Sequence, residues 1–591
     1  MGFDFFFTLG ILFLLSFLLV RETFSPEITM FCAWLALVSA GIISLPEALA
    51  GFSNEGMLTV AILYVIAAAL QNTGILDLLN SVMLGARPST ERVKLSRLLF
   101  PTSIISGFLN NTPIVSMLLP SVKNWAEKNN FSASRFLLPL SYATILGGMC
   151  TLIGTSTNLV SHGLLVAHGL PGFTFFEFVP VALPAAVIGL LFIVLVGVKL
   201  LPKRTPPMVT FGEHTREFVV EFKLSQDYPF LGKTIEEAGL RHLRGLYLFQ
   251  IEREGEAIAP AASSEKLRLN DRLFFTGLPK TILELQKTPG LELTPDSHFD
   301  LKHYDSDVIK TFEAVISASS SLAGKNVRES NFRKKYGAVI VAIHRNGERV
   351  EKKIGDIELK AGDTLLLLGD RDFRLHWYHS TEFCLISNTE EIPSKSRKQA
   401  ILSVATFLIM AGMAALGWLP LIVAMGVAAV VLVLGRSITS TDAIQAIDYK
   451  TLLMIICSFG IAKALENSGV CEYFADWIMG HFSAFGPFGM IIALYLITAT
   501  YTNFITNNAA AILMIPLAIS IAAKSGLDVH AFAIVTVMGA NSSFSTPMSY
   551  QTNLMVYGPG GYRFTDYLRV GIPLQAIVGT VLISMIYVIY F

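Results

Sequence analysis

Long apolar runs occupy residues 3–20, 28–45, 57–79 and 174–200, and others follow at 400–418, 420–435, 451–467, 486–501 and 570–591. Runs of this length suit helices crossing a hydrocarbon core about 30 Å thick. Four further segments, 98–120, 136–166, 503–524 and 530–557, are equally apolar but are interrupted by Gly, Pro, Asn, Ser and Thr. Backbone that leaves the helix at membrane depth must be buried in protein or line a wet cavity. These four segments therefore predict the site. The N-terminal stretch GFDFFFTLGILFLLSFLLV has no basic n-region or small-residue cleavage pattern, and a second apolar run follows it. It reads as a retained transmembrane helix.

The pattern is duplicated. Ala69–Ile75 matches Ala464–Val470 at an offset of 395, Phe108–Pro120 matches Phe504–Pro516 at 396, and Thr151–Asn158 matches Thr546–Asn553 at 395. Three blocks in one register and order predict two membrane repeats, 1–202 and 399–591. Duplicated halves with discontinuous helices are the architecture of many secondary transporters, whose sites lie at the repeat interface.

The intervening stretch changes character. Residues 203–398 hold 30 of the 45 Lys and Arg and 29 of the 45 Asp and Glu. This insert is itself duplicated at an offset of 92, pairing Gly232-Lys233 with Gly324-Lys325, Asp271 with Asp363, and Gly277 with Gly369. Each copy predicts a strand (217–224; 311–318), a short helix (233–242; 325–335) and two more strands (246–253 with 271–277; 338–345 with 363–369). Two small α+β domains, 205–290 and 298–382, are expected. The fold class is a polytopic α-helical membrane protein with re-entrant hairpins and broken helices, plus this tandem pair.

Composition agrees with membrane embedding: 52% of residues are hydrophobic and 15% charged, and mean hydropathy is +0.56. Net charge is zero, which offers no basic face to nucleic acid. Cys32, Cys150, Cys384, Cys457 and Cys471 show no CxxC spacing and support neither a metal site nor a disulfide framework.

The polar interruptions carry the chemistry. Asn110-Asn111-Thr112 and Thr506-Asn507-Asn508 each open an apolar helical run, so amides, a hydroxyl and free first-turn N–H groups point one way. The helix dipole adds roughly half a positive charge there. Gly154-Thr155-Ser156-Thr157-Asn158 and Ser549-Tyr550-Gln551-Thr552-Asn553 supply oxygens suited to a hard cation such as Na⁺. No Lys or Arg lies in these blocks.

These residues resemble the divalent anion:sodium symporters, which carry dicarboxylates, citrate or sulfate. That family is marked by a Ser-Asn-Thr triplet at each hairpin tip and a Gly/Ala-[Ser/Thr]-Pro-Pro-Asn loop. The resemblance implies that Asn111, Thr112, Thr155, Asn507, Asn508 and Tyr550 face the substrate. It implies that Ser106, Asn111 and the Gly154 carbonyl hold one Na⁺, and Thr502, Asn507 and the Ser549 carbonyl another. The departures are Asn110 and Thr506 for the first Ser, Asn508 for Thr, and Ser156-Thr157 and Gln551-Thr552 for the Pro pairs.

The insert, with its Gly-Lys step and L-x-x-x-D-x-L-x-x-x-G pattern at Leu267–Gly277 and Leu359–Gly369, resembles the RCK C-terminal (TrkA C-terminal) domain. That family is regulatory and dimer-forming, and some members bind small ligands. No G-x-G-x-x-G half accompanies it, so no NAD is expected. The branch with paired domains of this kind includes sulfate transporters.

The expected protein is a non-enzymatic, sodium-coupled elevator transporter of sulfate or a similar oxyanion. It would be a homodimer in the cell inner or plasma membrane, with residues 203–398 cytoplasmic and carrying an unidentified regulatory ligand. Two alternatives stand beside it: a dicarboxylate or citrate carrier, and a cation channel or cation transporter regulated through the RCK-like domains. No TVGYG-like filter is present for the latter.

Overall fold

The computed structural model describes residues 2–21, 26–71, 90–129, 131–203 and 397–591, with most of 219–277, 288–293 and most of 309–387 between them. Asn72, Thr73, Gly74 and Ile75 of the first duplicated block, and with them the end of the apolar run 57–79, lie outside the described residues.

The apolar runs are helices. In the first half they include Phe3–Arg21, Pro26–Ser39, Glu55–Gln71, and Val179–Phe192 continuing through a π turn to Leu200. In the second they include Arg397–Ala415, Leu421–Leu434, Tyr449–Asn467, Gly486–Tyr501 and Phe564–Tyr590. Among the described residues, five helical stretches are long and apolar enough to cross a membrane. The interrupted segments break where the polar residues fall. Glu91–Ser106 and Asn111–Lys128 flank one break, Leu137–Gly148 and Ser156–Ala167 the next. Asn507–Ser525, Val529–Asn541 and Gln551–Tyr557 repeat the arrangement in the second half.

Helix starts recur at the spacing of the sequence blocks: Pro26 and Leu421, Glu91 and Gly486, and Ser156 and Gln551 are each 395 apart, and Asn111 and Asn507 are 396 apart. The inner helices are apolar on every side because protein surrounds them. All twelve residues of Leu137–Gly148 are buried, as are all thirteen of Val529–Asn541 except the first two. The halves cross over: Asn507–Ser525 packs on Ser156–Ala167, and Gln551–Tyr557 packs on Asn111–Lys128.

The helix Val470–Phe482 was not foreseen, because Glu472, Asp476 and His481 break its apolar run on the outer face. Its buried side is Val470, Cys471, Ala475 and Ile478.

The insert forms two antiparallel five-stranded sheets. The first contains β1 (Val219–Leu224), β2 (Leu246–Arg253), β3 (Glu256–Ile258), β4 (Arg272–Gly277) and β5 (Leu291–Leu293), in the order β3-β2-β4-β1-β5. The second contains β6 (Ile309–Ile316), β7 (Ala338–Arg345), β8 (Glu348–Arg349), β9 (Thr364–Asp370) and β10 (Phe383–Ser387), in the equivalent order β10-β6-β9-β7-β8. The short helices differ from expectation. Thr234 bridges Lys266, 235–240 are turns and 241–242 lie outside the described residues, while 325–335 yields only a five-residue helix at Phe332–Tyr336. Segments this short do not repay the cost of helix nucleation, and Gly239 (φ 73°) and Asn331 (φ 46°) divert the chain.

The second sheet rests on the membrane helices. Glu313 of β6 pairs with Lys123 of Asn111–Lys128, and both side chains are almost fully buried. The turn before β9 meets the end of Gln551–Tyr557: a Cβ on Gly362 would lie 2.9 Å from Leu554, and one on Gly558 would strike Thr364.

Candidate functional site

The polar centre is built twice from the same local parts. Ser106 ends one helix, and its hydroxyl donates to Thr144 O at 2.9 Å; Thr502 does the same to Ala540 O at 2.8 Å. Each loop is braced by its Asn. Asn158 Nδ2 donates to Thr151 O (2.8 Å) and Gly148 O (3.4 Å), and Asn553 Nδ2 to Ser543 O (2.9 Å) and Thr546 O (3.3 Å). Thr151 and Thr546 tie the loops back to Gly107 O and Asn503 O. Thr155 and Tyr550 are the extended residues before the helices Ser156–Ala167 and Gln551–Tyr557.

Each loop then reaches the other half's helix start. Asn111 Nδ2 donates to Tyr550 Oη at 2.7 Å, and that hydroxyl lies 3.2 Å from Thr155 Oγ1 and beside Asn507. Thr112 Oγ1 donates to Gln551 Oε1 at 3.2 Å. On the other side, Ser156 and Thr157 donate to Asn508 Oδ1 at 3.2 and 2.8 Å, and Asn507 Nδ2 donates to Thr157 Oγ1 at 2.7 Å. The two helix starts thus do not simply face each other; the opposite loop is wedged against each.

Six residues expected at the substrate, Asn111, Thr112, Thr155, Asn507, Asn508 and Tyr550, all belong to this network, and all but Thr112 are buried. Of the expected sodium groups, Ser106 Oγ lies 2.6 Å from Asn111 Oδ1, its single proton shared between that oxygen and Thr144 O. A Cβ on Gly148 would lie 2.5 Å from Asn111 Oδ1 and 3.1 Å from Gly154 O, so glycine permits that approach. In the second half Thr502 turns instead toward Ser543 Oγ (3.1 Å), and Ser549 Oγ donates to Thr546 O (2.8 Å).

Sequence reasoning named Ser156, Thr157 and Gln551 as loop oxygens and as departures from the family's Pro pairs, but missed that they hold the opposite triplets. Ser141 and Asn541 were missed too. Ser141 Oγ donates to Asn553 Oδ1 (2.7 Å) and Asn541 Nδ2 to Asn158 Oδ1 (2.8 Å), locking each loop to the other half. A buried hydrogen bond contributes about 0.5–1.5 kcal/mol net, and an orphaned partner costs about 1–3 kcal/mol.

The network is made of amides and hydroxyls. Such dipoles stabilise an ion without the cost of burying a fixed charge. Among the described residues no cluster of three or more His, Cys, Asp or Glu could hold a metal.

A polytopic chain with an uncharged polar centre between two helix starts has the build of a membrane transporter. Residues 16–539 match the citrate transporter family. A candidate sulfur deprivation response regulator of Chlamydomonas reinhardtii is 36% identical over 97% of this chain and 99% of that protein. An uncharacterized transporter of Synechocystis sp. is 30% identical over 99% of this chain and 97% of its own length. Sodium/sulfate cotransporter 1 of Chlamydomonas reinhardtii is 24% identical over 93% and 86%. The chain belongs to the citrate transporter family and is a multi-pass membrane transporter, not an enzyme.

Proposed function

We propose that the chain is a sodium-coupled secondary transporter that imports sulfate or a similar small divalent oxyanion. One observation carries the reading. Asn508 accepts from Ser156 and Thr157 through Oδ1, which leaves its NH₂ as a donor at the start of a nineteen-residue helix. A dianion there gains an amide donor and the helix dipole and meets no carboxylate in the network. The names of the 24–25% identical relatives, sodium/sulfate cotransporters, support the choice of ion and coupling.

Importing a dianion against 100 mV, inside negative, costs about 4.6 kcal/mol, which two Na⁺ offset in charge. The oxygens of Ser106, Asn111 and Gly154, and of Thr502, Asn507 and Ser549, are the groups proposed to bind them. The matching helix starts and the paired loop braces support two repeats, 1–202 and 399–591, with re-entrant hairpins at the two triplets. An elevator motion would carry these elements against a dimeric scaffold.

The insert, divided as 205–290 and 298–382, is proposed to be cytoplasmic and RCK-like, regulating access and supporting the dimer. Its second sheet is well placed for this, since Glu313 grips the helix that begins at Asn111. Regulation requires a ligand that binds one access state better than the other.

The family's citrate transporter description favours a second reading, in which citrate or a dicarboxylate is carried. Uptake of labelled sulfate into proteoliposomes tests both. Sulfate uptake that collapses when Na⁺ is replaced by choline, and that excess citrate leaves unchanged, is the expected result. Uptake indifferent to choline refutes the coupling, and uptake of labelled citrate in place of sulfate favours the second reading.

A further inference from the structure

The two cross-half contacts at the rim of the centre are chemically matched, although their residues are exchanged. In one, the helix supplies a hydroxyl (Thr112) and the loop an amide (Gln551). In the other, the helix supplies the amide (Asn508) and the loop the hydroxyls of Ser156 and Thr157. The positions correspond, Thr112 to Asn508 at 396 and Ser156 to Gln551 at 395. In both contacts a hydroxyl donates into the amide oxygen. An amide has one carbonyl oxygen and one NH₂ group, so each contact fixes an amide with its NH₂ turned away from the bond.

Asn508 is nearly buried, whereas Gln551 is exposed. Both belong to one connected network, since Thr112 adjoins Asn111, Asn111 bonds Tyr550, and Tyr550 meets Thr155 beside Ser156. Residues 551 and 156 are where the resembled family carries proline, which offers no side-chain donor.

We propose that Gln551 is a substrate-binding residue, its side-chain NH₂, turned away from Thr112, donating to the same small oxyanion that the NH₂ of Asn508 is proposed to hold. Thr112 is then a positioning residue that orients Gln551 by donating to Oε1. The inference rests on the proposed anion transport. It adds a donor from the second loop that neither the triplets nor the braced Asn residues supply.

The test is labelled sulfate uptake by purified full-length protein in proteoliposomes, with KM and kcat measured separately. Gln551→Glu keeps the acceptor that Thr112 needs and replaces the NH₂ by an anionic oxygen. Its KM for sulfate is expected to rise more than about tenfold at pH 7.5, with kcat much less affected, since a hydrogen bond to a charged group is worth about 1.5–3 kcal/mol. The defect relative to the unaltered protein should shrink as pH falls toward the carboxyl range. Gln551→Ala should raise KM by a smaller factor and show no such pH rescue. Absence of Na⁺-dependent sulfate uptake by the unaltered protein overturns the transport reading, and this inference with it. Normal uptake by that protein, with a KM for Gln551→Glu within about twofold of it at every pH, overturns the inference alone.

Discussion

The two sheets of the insert share strand order, yet they differ in how a buried glutamate is paired. Glu221 on β1 and Glu313 on β6 are 92 residues apart, and both carboxylates are almost wholly buried. Glu221 is answered within its own sheet by Arg272, through bonds of 2.5 and 2.9 Å. At the position matching Arg272 the second sheet has Thr364, and Glu313 is answered by Lys123 from the membrane half. By contrast, Arg253–Asp271 and Arg345–Asp363 are preserved as bidentate pairs in both copies. Where the first sheet has Arg272 for its buried glutamate, the second has no arginine at the matching position, and the partner of Glu313 comes from the transporter body. The first sheet is self-contained; the second is keyed to the membrane helices.

The largest effect should come from breaking that key. Lys123→Met strands Glu313 in a dry environment and should lower stability by about 3–5 kcal/mol, while Lys123→Met with Glu313→Leu recovers most of it. Arg272→Met should cost less, about 1–3 kcal/mol, because this arginine is 42% exposed and water can reach the site it leaves. Thermal unfolding in detergent distinguishes the two, and equal losses would erase the contrast between the sheets. Arg253→Met and Arg345→Met come next. Each leaves a buried aspartate without its arginine but still accepting from a backbone N–H, of Arg268 or Lys360, at a cost of about 1–3 kcal/mol, and hydrogen exchange of β4 and β9 should report matching losses.

The smallest effect is confined to acid. Burial opposes ionisation of Glu382, but hydrogen bonds from Ser321, Ser320 and Lys335 outweigh it and lower the carboxyl to about 2. An unfolded glutamate titrates near about 4.3, so this stabilisation is complete above that pH and is lost as pH falls toward 2. Its counterpart in the first sheet is Gly290. Acid should therefore raise the exchange rate of Phe383–Ser387 beyond that of Leu291–Leu293, after correction for intrinsic rates.

The membrane architecture was largely legible, because a broken apolar run announces itself through Asn, Gly and Thr. The strands β5 and β10, three and five residues long, are too short to show alternation, and only pairing with β1 and β6 reveals them. Of the candidate site, the helix-start residues Asn111 and Asn507 could be read from local pattern. The pairings between distant parts of the chain could not. Thr112 and Gln551 are 439 positions apart, and Lys123 and Glu313 are 190 apart, so these contacts exist only once the halves and the insert interlock.

The central claim is that an uncharged amide at a helix start holds the transported anion. Asn508→Asp tests it most directly, because the variant keeps an acceptor for Ser156 and Thr157 and exchanges only the NH₂ for a charged oxygen. In proteoliposomes under a Na⁺ gradient, the initial rate of labelled sulfate uptake is predicted to fall by more than about tenfold relative to the unaltered protein, through Coulomb repulsion of the dianion. A folded Asn508→Asp protein that takes up sulfate at an unchanged rate would contradict the account.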